Sequence, residues 1–284
     1  IVWIASYPKS GNTYMRALLA SYFFTEDRNF NFEILKTIKI FPHINLFKNL
    51  GININDETEV VKNYIRVQEE VNKLNKNSIN FMKTHSTMQS INSNQFTDLK
   101  NTLGAIYLVR DPRNIVTSFS NHYDISIHEA AKDLMSFKYL KGIKNNKEFG
   151  DQVLTHMGSW ADNYNSWKEL KKYKKYILIK YEDLVSDPRK TFLDVINFVN
   201  SFVKSKIKID EKKLKNAIKT TSFTYLKNLE ENEGFEESHI DKKGNKISFF
   251  KYGPNNNWEK FITNDIKEMI EGSFNKEMKE LSYL

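Results

Sequence analysis

The sequence predicts an α/β fold of three layers, in which a central and mostly parallel β-sheet is covered by helices on both faces. Four short apolar runs favour strands, and each precedes a polar turn and a stretch with helical periodicity: Ile1–Ala5, Ile79–Lys83, Ala105–Val109 and Tyr176–Lys180. Strands that alternate with helices are typical of parallel βαβ units. The 284 residues, 40% of them hydrophobic, suffice for a packed core. Because no repeat or linker interrupts the chain, we expect a single domain over residues 1–284.

Eight segments have the periodicity of amphipathic helices: Thr13–Phe24, Glu57–Lys76, Pro112–Tyr123, Ile127–Lys141, Asp151–Lys171, Pro188–Val203, Glu211–Thr220 and Asp265–Leu281. Two of them begin at an Asp-Pro pair, at Asp111 and Asp187, which places a capping carboxylate before proline at the first helical position. The segment Asn228–Asn257 is rich in charge, Asn and Gly, and predicts a long surface loop. A loop of that length in a compact domain is usually functional or mobile.

The composition excludes several kinds of site. The chain has no cysteine, which rules out disulfides, metal–thiolate sites and catalytic thiols, and a cytoplasmic location is expected. No apolar stretch approaches the roughly 18 residues that would span a bilayer, so neither a membrane span nor a secretory leader is expected. The formal net charge of +8 is explained either by solubility alone or by an anionic partner. Composition leaves open whether that partner is a nucleic acid, a membrane surface or a polyanionic small molecule.

A candidate phosphate-binding loop, residues 6–14, follows the first strand directly. Gly11 allows a close approach of the backbone, and the residues after it open a helix whose free N–H groups would face an anion. The loop departs from the triphosphatase pattern G-x-x-x-x-G-K-[ST], because Asn12 replaces the lysine and the only lysine is the earlier Lys9. Binding of a nucleoside triphosphate together with magnesium is therefore disfavoured. A single phosphate, with a lysine beside the bond that breaks, fits better.

A second candidate anion site follows the third strand. Arg110 stands at the carboxyl end of that strand, and Ser118 lies six residues beyond Pro112 in the helix that follows. That helix can return the serine hydroxyl towards the same region. The planar fork of arginine suits phosphate, and serine adds a short donor. Asp111 is expected to cap the helix rather than to hold a metal ion.

His85 is the candidate general base. It lies just beyond the second strand, at the edge of the sheet where ligands of open parallel sheets bind. An imidazole with a pKa near its usual value of about 6.5 accepts a proton at neutral pH. The other histidines lack such a context, and His156 is expected to pack in the core or lie on the surface.

The loop Tyr7-Pro8-Lys9-Ser10-Gly11-Asn12-Thr13 closely resembles the 5′-phosphosulfate loop of the PAPS-dependent sulfotransferases, usually Y-P-K-S-G-T-T-W. The resemblance implies a P-loop-like, nucleotide-hydrolase-like fold and the donor 3′-phosphoadenosine 5′-phosphosulfate (PAPS), with its bisphosphate (PAP) as product. It also implies that Lys9 stabilises the bridging oxygen as the sulfuryl group leaves. The residues that would bind the donor here are Lys9, Ser10, Gly11, Asn12, Thr13 and Tyr14. Asn12 and Tyr14 depart from the usual Thr and Trp.

Two further motifs of this family carry charged groups. The run from Arg110 to Asn114, leading to Ser118, resembles the 3′-phosphate motif, which implies that Arg110 and Ser118 bind the 3′-phosphate. The sequence Lys83-Thr84-His85 resembles the K-x-H element, which implies His85 as catalytic base with Lys83 beside the phosphosulfate. The first loop and the Arg110 run lie about 100 residues apart and match independently.

Three other segments resemble elements that surround the nucleotide. Tyr181 belongs to a Y-E-D-L segment expected near the adenine, and Ser222 and Phe223 belong to a T-S-F element that flanks the base. The segment Phe249–Trp258 partly matches the element R-K-G-x-x-G-[DN]-W, which closes over the 3′-phosphate. It places Lys251, Tyr252 and Gly253 at the donor. Lysine at position 251 keeps a charge but loses the bidentate geometry of arginine.

The resemblance implies a PAPS-dependent sulfotransferase of the cytosolic type. It would move the sulfuryl group by in-line displacement to a hydroxyl or amine of a small-molecule acceptor, an alcohol, phenol, amine or sugar. It would require no metal and bind no nucleic acid. Two alternatives remain open at this point: a P-loop-type nucleotide kinase or hydrolase, and a non-catalytic nucleotide- or RNA-binding module. The acceptor pocket is expected from residues 30–54, 123–149 and 228–251, although packing is favoured for Phe32, Phe41 and Phe47.

Overall fold

The computed structural model describes residues 1–26, 29–76, 78–136, 139–140, 153, 155–203, 208–241 and 244–284. Its strands are β1 Val2–Ser6, β2 Lys39–Ile40, β3 Phe81–Thr84, β4 Gly104–Val109, β5 Tyr139–Leu140, β6 Thr155–His156, β7 Tyr176–Lys180, β8 His239–Ile240 and β9 Lys246–Ile247. Five of them form one parallel sheet in the order β2-β3-β1-β4-β7. The pairs β5–β6 and β8–β9 are small antiparallel ribbons.

The helices are α1 Asn12–Phe24, α2 Phe32–Leu35, α3 Ile44–Lys48, α4 Glu57–Lys62, α5 Tyr64–Leu74, α6 Pro112–Tyr123, α7 Ile127–Met135, α8 Trp160–Lys168, α9 Tyr181–Ser186, α10 Pro188–Asn200, α11 Glu211–Thr220, α12 Phe223–Glu233, α13 Asn264–Ser273 and α14 Asn275–Glu280. Short 3₁₀ turns follow α8 and flank Trp258. None of the helices in the described part of the chain combines the length and apolarity needed to cross a bilayer.

The predicted three-layer α/β fold is confirmed. Every residue of β1 is buried, and successive side chains enter the two opposite cores: Trp3 packs with one cluster and Ile4 with the other. Phe41 and Phe47 lie in the first cluster, which confirms the packing favoured for these two side chains. Strands β1 and β4 are buried along their whole length, as expected for strands in a sheet covered on both faces.

The two Asp-Pro signals are confirmed as helix starts. The Asp111 carboxylate accepts a hydrogen bond from the backbone N–H of Arg113 at 2.9 Å, and that of Asp187 accepts one from Lys190 at 2.9 Å. Asp111 also pairs with the Arg113 guanidinium at 2.7 Å. Its role as a cap follows from these contacts.

Several predicted helix bounds are wrong. The segment Glu57–Lys76 is two helices, because the Asn63 side chain donates to the Glu59 carbonyl at 2.8 Å and ends the first. The segment Asp265–Leu281 breaks at Phe274, whose ring packs 5.1 Å from that of Trp160.

Two other predictions fall partly outside the described residues. In the predicted helix Ile127–Lys141, the helix ends at Met135, and residues 137–138 and 141 lie outside the described part. In the predicted helix Asp151–Lys171, the helix begins only at Trp160, after a capping box between Ser159 and Asp162. Residues 151–152 and 154 lie outside the described part, and His156 is a buried residue of a strand rather than of a helix.

The predicted loop Asn228–Asn257 contains regular structure. Helix α12 extends into it as far as Glu233, and the β8–β9 ribbon follows. The buried carboxylate of Glu230 ties the segment together by accepting hydrogen bonds from the hydroxyls of Ser238 and Ser248 and from the backbone N–H groups of Phe249 and Phe250. Burial alone would raise the pKa of Glu230, but these hydrogen bonds outweigh it and hold the pKa below its usual value.

Candidate functional site

The carboxyl ends of the parallel strands open into a cavity of about 1190 Å³. Ligands of open α/β sheets bind at this edge. The cavity brings together nearly all of the predicted site residues: Lys9, Gly11, Asn12, Thr13, Tyr14, Lys83, His85, Arg110, Ser118, Tyr181, Ser222, Phe223, Lys251, Tyr252 and Gly253. Ser10 is the exception, since it is fully buried beneath the loop.

The loop after β1 has the backbone of an anion-binding turn. Lys9 and Gly11 have positive φ angles of 65° and 96°, so the chain doubles back before α1. Helix α1 begins at Asn12 with no side-chain cap among the described residues, which leaves its first N–H groups open at the cavity. The Asn12 side chain instead donates to the carbonyl of Ile4 at 3.0 Å and to the Ser6 hydroxyl at 3.1 Å, which fixes the loop to the strand.

Three buried polar atoms around this loop have no hydrogen-bond partner within the described ranges. They are Ser10 Oγ, Asn12 Oδ1 and Arg110 Nε. Buried polar groups are nearly always paired, and two of these three groups are donors. Of the two donors, Arg110 lines the cavity, which therefore fits an anionic ligand that would accept from the Arg110 Nε.

Arg110 joins the loop to the opposite wall of the cavity. Its guanidinium donates to the carbonyl of Lys9 at 3.3 Å and to that of Gly253 at 3.4 Å. It also lies over the Tyr181 ring, 4.1 Å from the ring centroid. The same ring packs on Gly11, where an added Cβ would lie 2.6 Å from Tyr181 Cδ2. Only glycine suits this position, because of its φ angle and because of the close approach of the ring.

The remaining predicted donor residues line the wall around Arg110. Ser222 accepts from the backbone N–H of Tyr225 at 3.4 Å and caps α12, and Phe223 fills the space beside Gly253, where a Cβ would come within 2.2 Å of its ring. Lys251 is exposed and donates to the Asn121 side chain at 2.5 Å. Ser118 and Tyr14 are half-buried at the cavity wall.

Lys9 is a residue of the loop itself, and its ammonium nitrogen lies 3.8 Å from the centroid of the Phe249 ring. Burial lowers the pKa of Lys9 to about 7, an effect that Glu237 offsets in part and that Lys83 and Arg110 reinforce. Burial likewise lowers the pKa of Lys83. A bound anion near these two lysines would therefore be stabilised and would favour their charged forms.

His85 is held in one tautomer. Its Nδ1 lies 2.8 Å from the backbone carbonyl of Ser6. Because a carbonyl only accepts, Nδ1 carries the hydrogen and the lone pair is on Nε2. Burial and the neighbouring Lys83 lower the pKa of His85 to about 3, so the ring is neutral at physiological pH.

The backbone of His85 is also fixed. Its carbonyl accepts from the Asn163 side chain at 2.9 Å, and the Asn163 side-chain oxygen accepts in turn from the Tyr107 hydroxyl at 2.9 Å. Asn163 is fully buried. These contacts fix the backbone that carries the His85 ring at the cavity wall.

Sequence reasoning missed two charged residues in the cavity, Arg16 and Glu237. The Glu237 carboxylate accepts from the Thr13 hydroxyl at 2.9 Å, pairs with Arg16 at 2.7 Å and lies 3.5 Å from the Lys83 ammonium. Burial alone would raise the pKa of Glu237, but Lys83 and Arg16 outweigh it and hold the pKa far below its usual value. The spacing of Thr13 and Arg16, three residues apart in a helix, could have indicated a shared face. Nothing in the sequence indicates that Glu237 reaches them.

Of the segments expected to form the acceptor pocket, parts of residues 30–54 and 228–251 line the cavity. Phe32 lies in the cavity wall and stacks on Phe235 at 4.3 Å between centroids. Tyr123 lines the cavity as well, whereas residues 137–138 and 141–149 of the third expected segment lie outside the described part.

Comparison with known proteins shows which family the chain belongs to. The chain is 22% identical over 279 residues to flavonol 3-sulfotransferase from Flaveria bidentis, covering 95% of this chain and 79% of that protein. It is 25% identical over 285 residues to sulfotransferase 1E1 from Homo sapiens, covering 98% and 83%. The fold is similar to that of the mouse sulfotransferase SULT7A1 complexed with PAP, with a TM-score of 0.58, 18% identity and coverage of 99% and 84%. The family model described as "Sulfotransferase domain" matches residues 1–282, and the chain therefore belongs to the sulfotransferase family.

Proposed function

We propose that this chain is a PAPS-dependent sulfotransferase that acts on a hydroxyl or amine of a small-molecule acceptor. The observation that carries the proposal is the single cavity that joins the open N-terminus of α1, the Arg110 guanidinium and the neutral His85 ring. PAPS supplies the sulfuryl group when bound. A kinase is disfavoured, since Asn12 binds the strand backbone where a triphosphatase loop would present its lysine.

The charges of the cavity suit a donor with two phosphate-bearing ends. The residues that would hold the 5′ end are Lys9, Ser10, Gly11, Asn12, Thr13 and Tyr14. Arg110 and Ser118 would hold the 3′-phosphate, with Lys251, Tyr252 and Gly253 closing over it. Tyr181, Ser222 and Phe223 would flank the adenine. The support for this assignment is the Nε of Arg110, unpaired among the described residues, and the cavity wall that all of these residues except Ser10 share.

The chain's own residues would supply the acid–base and electrostatic parts of the reaction. His85 accepts the acceptor's proton at Nε2, while its Nδ1–H stays on the Ser6 carbonyl. Lys9, whose ammonium is partly desolvated, stabilises negative charge on the leaving phosphate oxygen, and Lys83 stands beside it. Because these lysines can neutralise that oxygen, we propose that no metal is required.

A transfer assay tests the proposal. The purified chain is incubated with ³⁵S-labelled PAPS, a chelator and a panel of phenols, alcohols, amines and sugars. Label should reach at least one acceptor while PAP is released in equal amount. Phosphoryl transfer from ATP that depends on Mg²⁺, or binding of RNA without any preference for PAP, would instead support the alternatives.

The low pKa of Lys9 predicts how PAP binding depends on pH. In the free chain the Lys9 pKa is about 7, so Lys9 is charged below pH 7 and loses its proton above it. A bound anion favours the charged form, so PAP affinity should fall as the pH rises above 7, by at most about tenfold per pH unit. Binding near pH 8 should also take up a proton. Calorimetry in buffers of different ionisation enthalpy measures that uptake, and Lys9→Met should abolish it. A flat affinity between pH 7 and 9 in the wild-type chain would contradict this role for Lys9.

A further inference from the structure

Three polar side chains from two different elements converge on one carboxylate. Thr13 and Arg16 come from the same face of α1, Lys83 comes from β3, and all three reach the oxygens of Glu237 within 2.9, 2.7 and 3.5 Å. All four residues line the cavity. The carboxylate oxygens therefore mark a point in the cavity that is built to hold an anion.

Arg16 is a buried arginine whose hydrogen-bonding groups are only partly paired among the described residues. Only 4% of its side chain is exposed, and its Nε has no partner among the residues that the structure describes. Lys83 lies nearby, so an uncompensated Arg16 would add to the like-charge repulsion there. A buried guanidinium is costly unless it is paired, and its one acidic partner among the described contacts is Glu237.

We propose that Arg16 is a further donor-binding residue at the phosphosulfate end of the cavity, and that Glu237 is an internal anion that occupies this place until the donor arrives. The inference rests on the proposed function, because that function assigns Thr13 and Lys83 to the donor. Thr13 has one hydroxyl hydrogen, and Glu237 accepts it. A bound PAPS or PAP that accepts the same hydrogen must displace the Glu237 carboxylate. Repulsion between the negative charges of the nucleotide and of Glu237 would also drive them apart.

The surroundings of Glu237 allow this displacement. About a quarter of its side chain is exposed, so rotation about its own bonds can turn the carboxylate towards solvent. The next residue, Ser238, is tied to Glu230, so the backbone of the segment stays anchored while the side chain moves. Release of Glu237 frees both Thr13 and Arg16 to donate to the incoming anion.

Titration of the full chain with PAP tests the proposal, using four variants. Glu237→Gln keeps the size of the side chain but removes its charge, and should bind PAP about tenfold more tightly than wild type. Adding Arg16→Met to Glu237→Gln should remove at least that gain, whereas adding Arg16→Lys should keep part of it. Glu211→Gln is the matched control, because Glu211 is exposed, pairs with Arg189 at the surface and does not line the cavity. It should bind PAP as wild type does.

The outcomes separate the two proposals. If wild type binds PAP but Glu237→Gln binds it no more tightly, or if Arg16→Met has no effect in the Glu237→Gln background, the inference about Arg16 and Glu237 is wrong while the proposed function stands. If no variant binds PAP although all melt cooperatively near the wild-type temperature, the proposed function itself is wrong. Melting curves of each variant show that it is folded.

Discussion

Replacement of His85 by alanine is expected to lower kcat by about 10²–10⁴-fold, the usual contribution of a positioned general base. In the proposed mechanism the neutral His85 imidazole accepts the proton, because Nδ1–H is bound to the Ser6 carbonyl and the lone pair is left on Nε2. Its removal takes away the acceptor for the substrate proton but no donor-binding charge. PAP should therefore bind to the variant within about twofold of wild type. Steady-state kinetics and calorimetry with PAP measure the two quantities.

Two controls sharpen the His85 prediction. His85→Asn keeps an N–H that can reach the Ser6 carbonyl but lacks a basic nitrogen, so it should be as slow as His85→Ala. His128→Ala removes an exposed histidine that does not line the cavity, and should leave kcat unchanged. Wild-type turnover in His85→Ala would remove His85 from the role of base.

Replacement of Lys9 by methionine is expected to lower kcat by about 10²–10³-fold, comparable to the loss of a donor from an oxyanion hole. Methionine has a similar length but no charge, so the loop fold should persist. The ammonium of Lys9 is partly desolvated beside the Phe249 ring, where the interaction with a developing negative charge is stronger than in water. The loss should fall more on kcat than on PAP affinity, because the charge on the leaving oxygen develops during the reaction.

Lys62→Met serves as the matched control for Lys9, since Lys62 is an exposed residue of α4 away from the cavity. It should have wild-type kinetics. Acceptors with a more acidic hydroxyl should not rescue Lys9→Met, because Lys9 acts on the leaving group rather than on the acceptor. Equal turnover of Lys9→Met and wild type would show that the leaving oxygen is stabilised elsewhere.

Much of the fold could be predicted because local signals agree with tertiary packing. Strands β1 and β4 are buried on both faces, and the Asp-Pro pairs at Asp111 and Asp187 start helices as expected. The helix breaks at Asn63 and Phe274 could not be predicted, because they depend on a side-chain hydrogen bond and on a ring contact with Trp160. The two-residue strand β2 is too short to carry a periodic signal.

The residues of the candidate site could be predicted where a polar or charged side chain comes directly after a strand. Lys9, His85 and Arg110 each lie just beyond a strand of the sheet, and parallel strands end at one edge. Glu230 and Glu237 could not be predicted, because their contacts join residues far apart in the chain through a segment that sequence alone describes as a loop. The single domain over residues 1–284, the cytoplasmic location and the identity of the acceptor stay predictions.

The most direct test of the account compares PAP with adenosine 5′-monophosphate in calorimetric titrations of wild type and Arg110→Met. The account predicts that wild type binds one PAP per chain, and that loss of the 3′-phosphate weakens binding by about tenfold or more. In Arg110→Met, removal of the 3′-phosphate from the ligand should change the binding affinity little, since the guanidinium that would hold that phosphate is gone. Absence of PAP binding to wild type, or an equal cost of the missing phosphate in both proteins, would contradict the claim that Arg110 and the loop after β1 hold the two ends of one nucleotide.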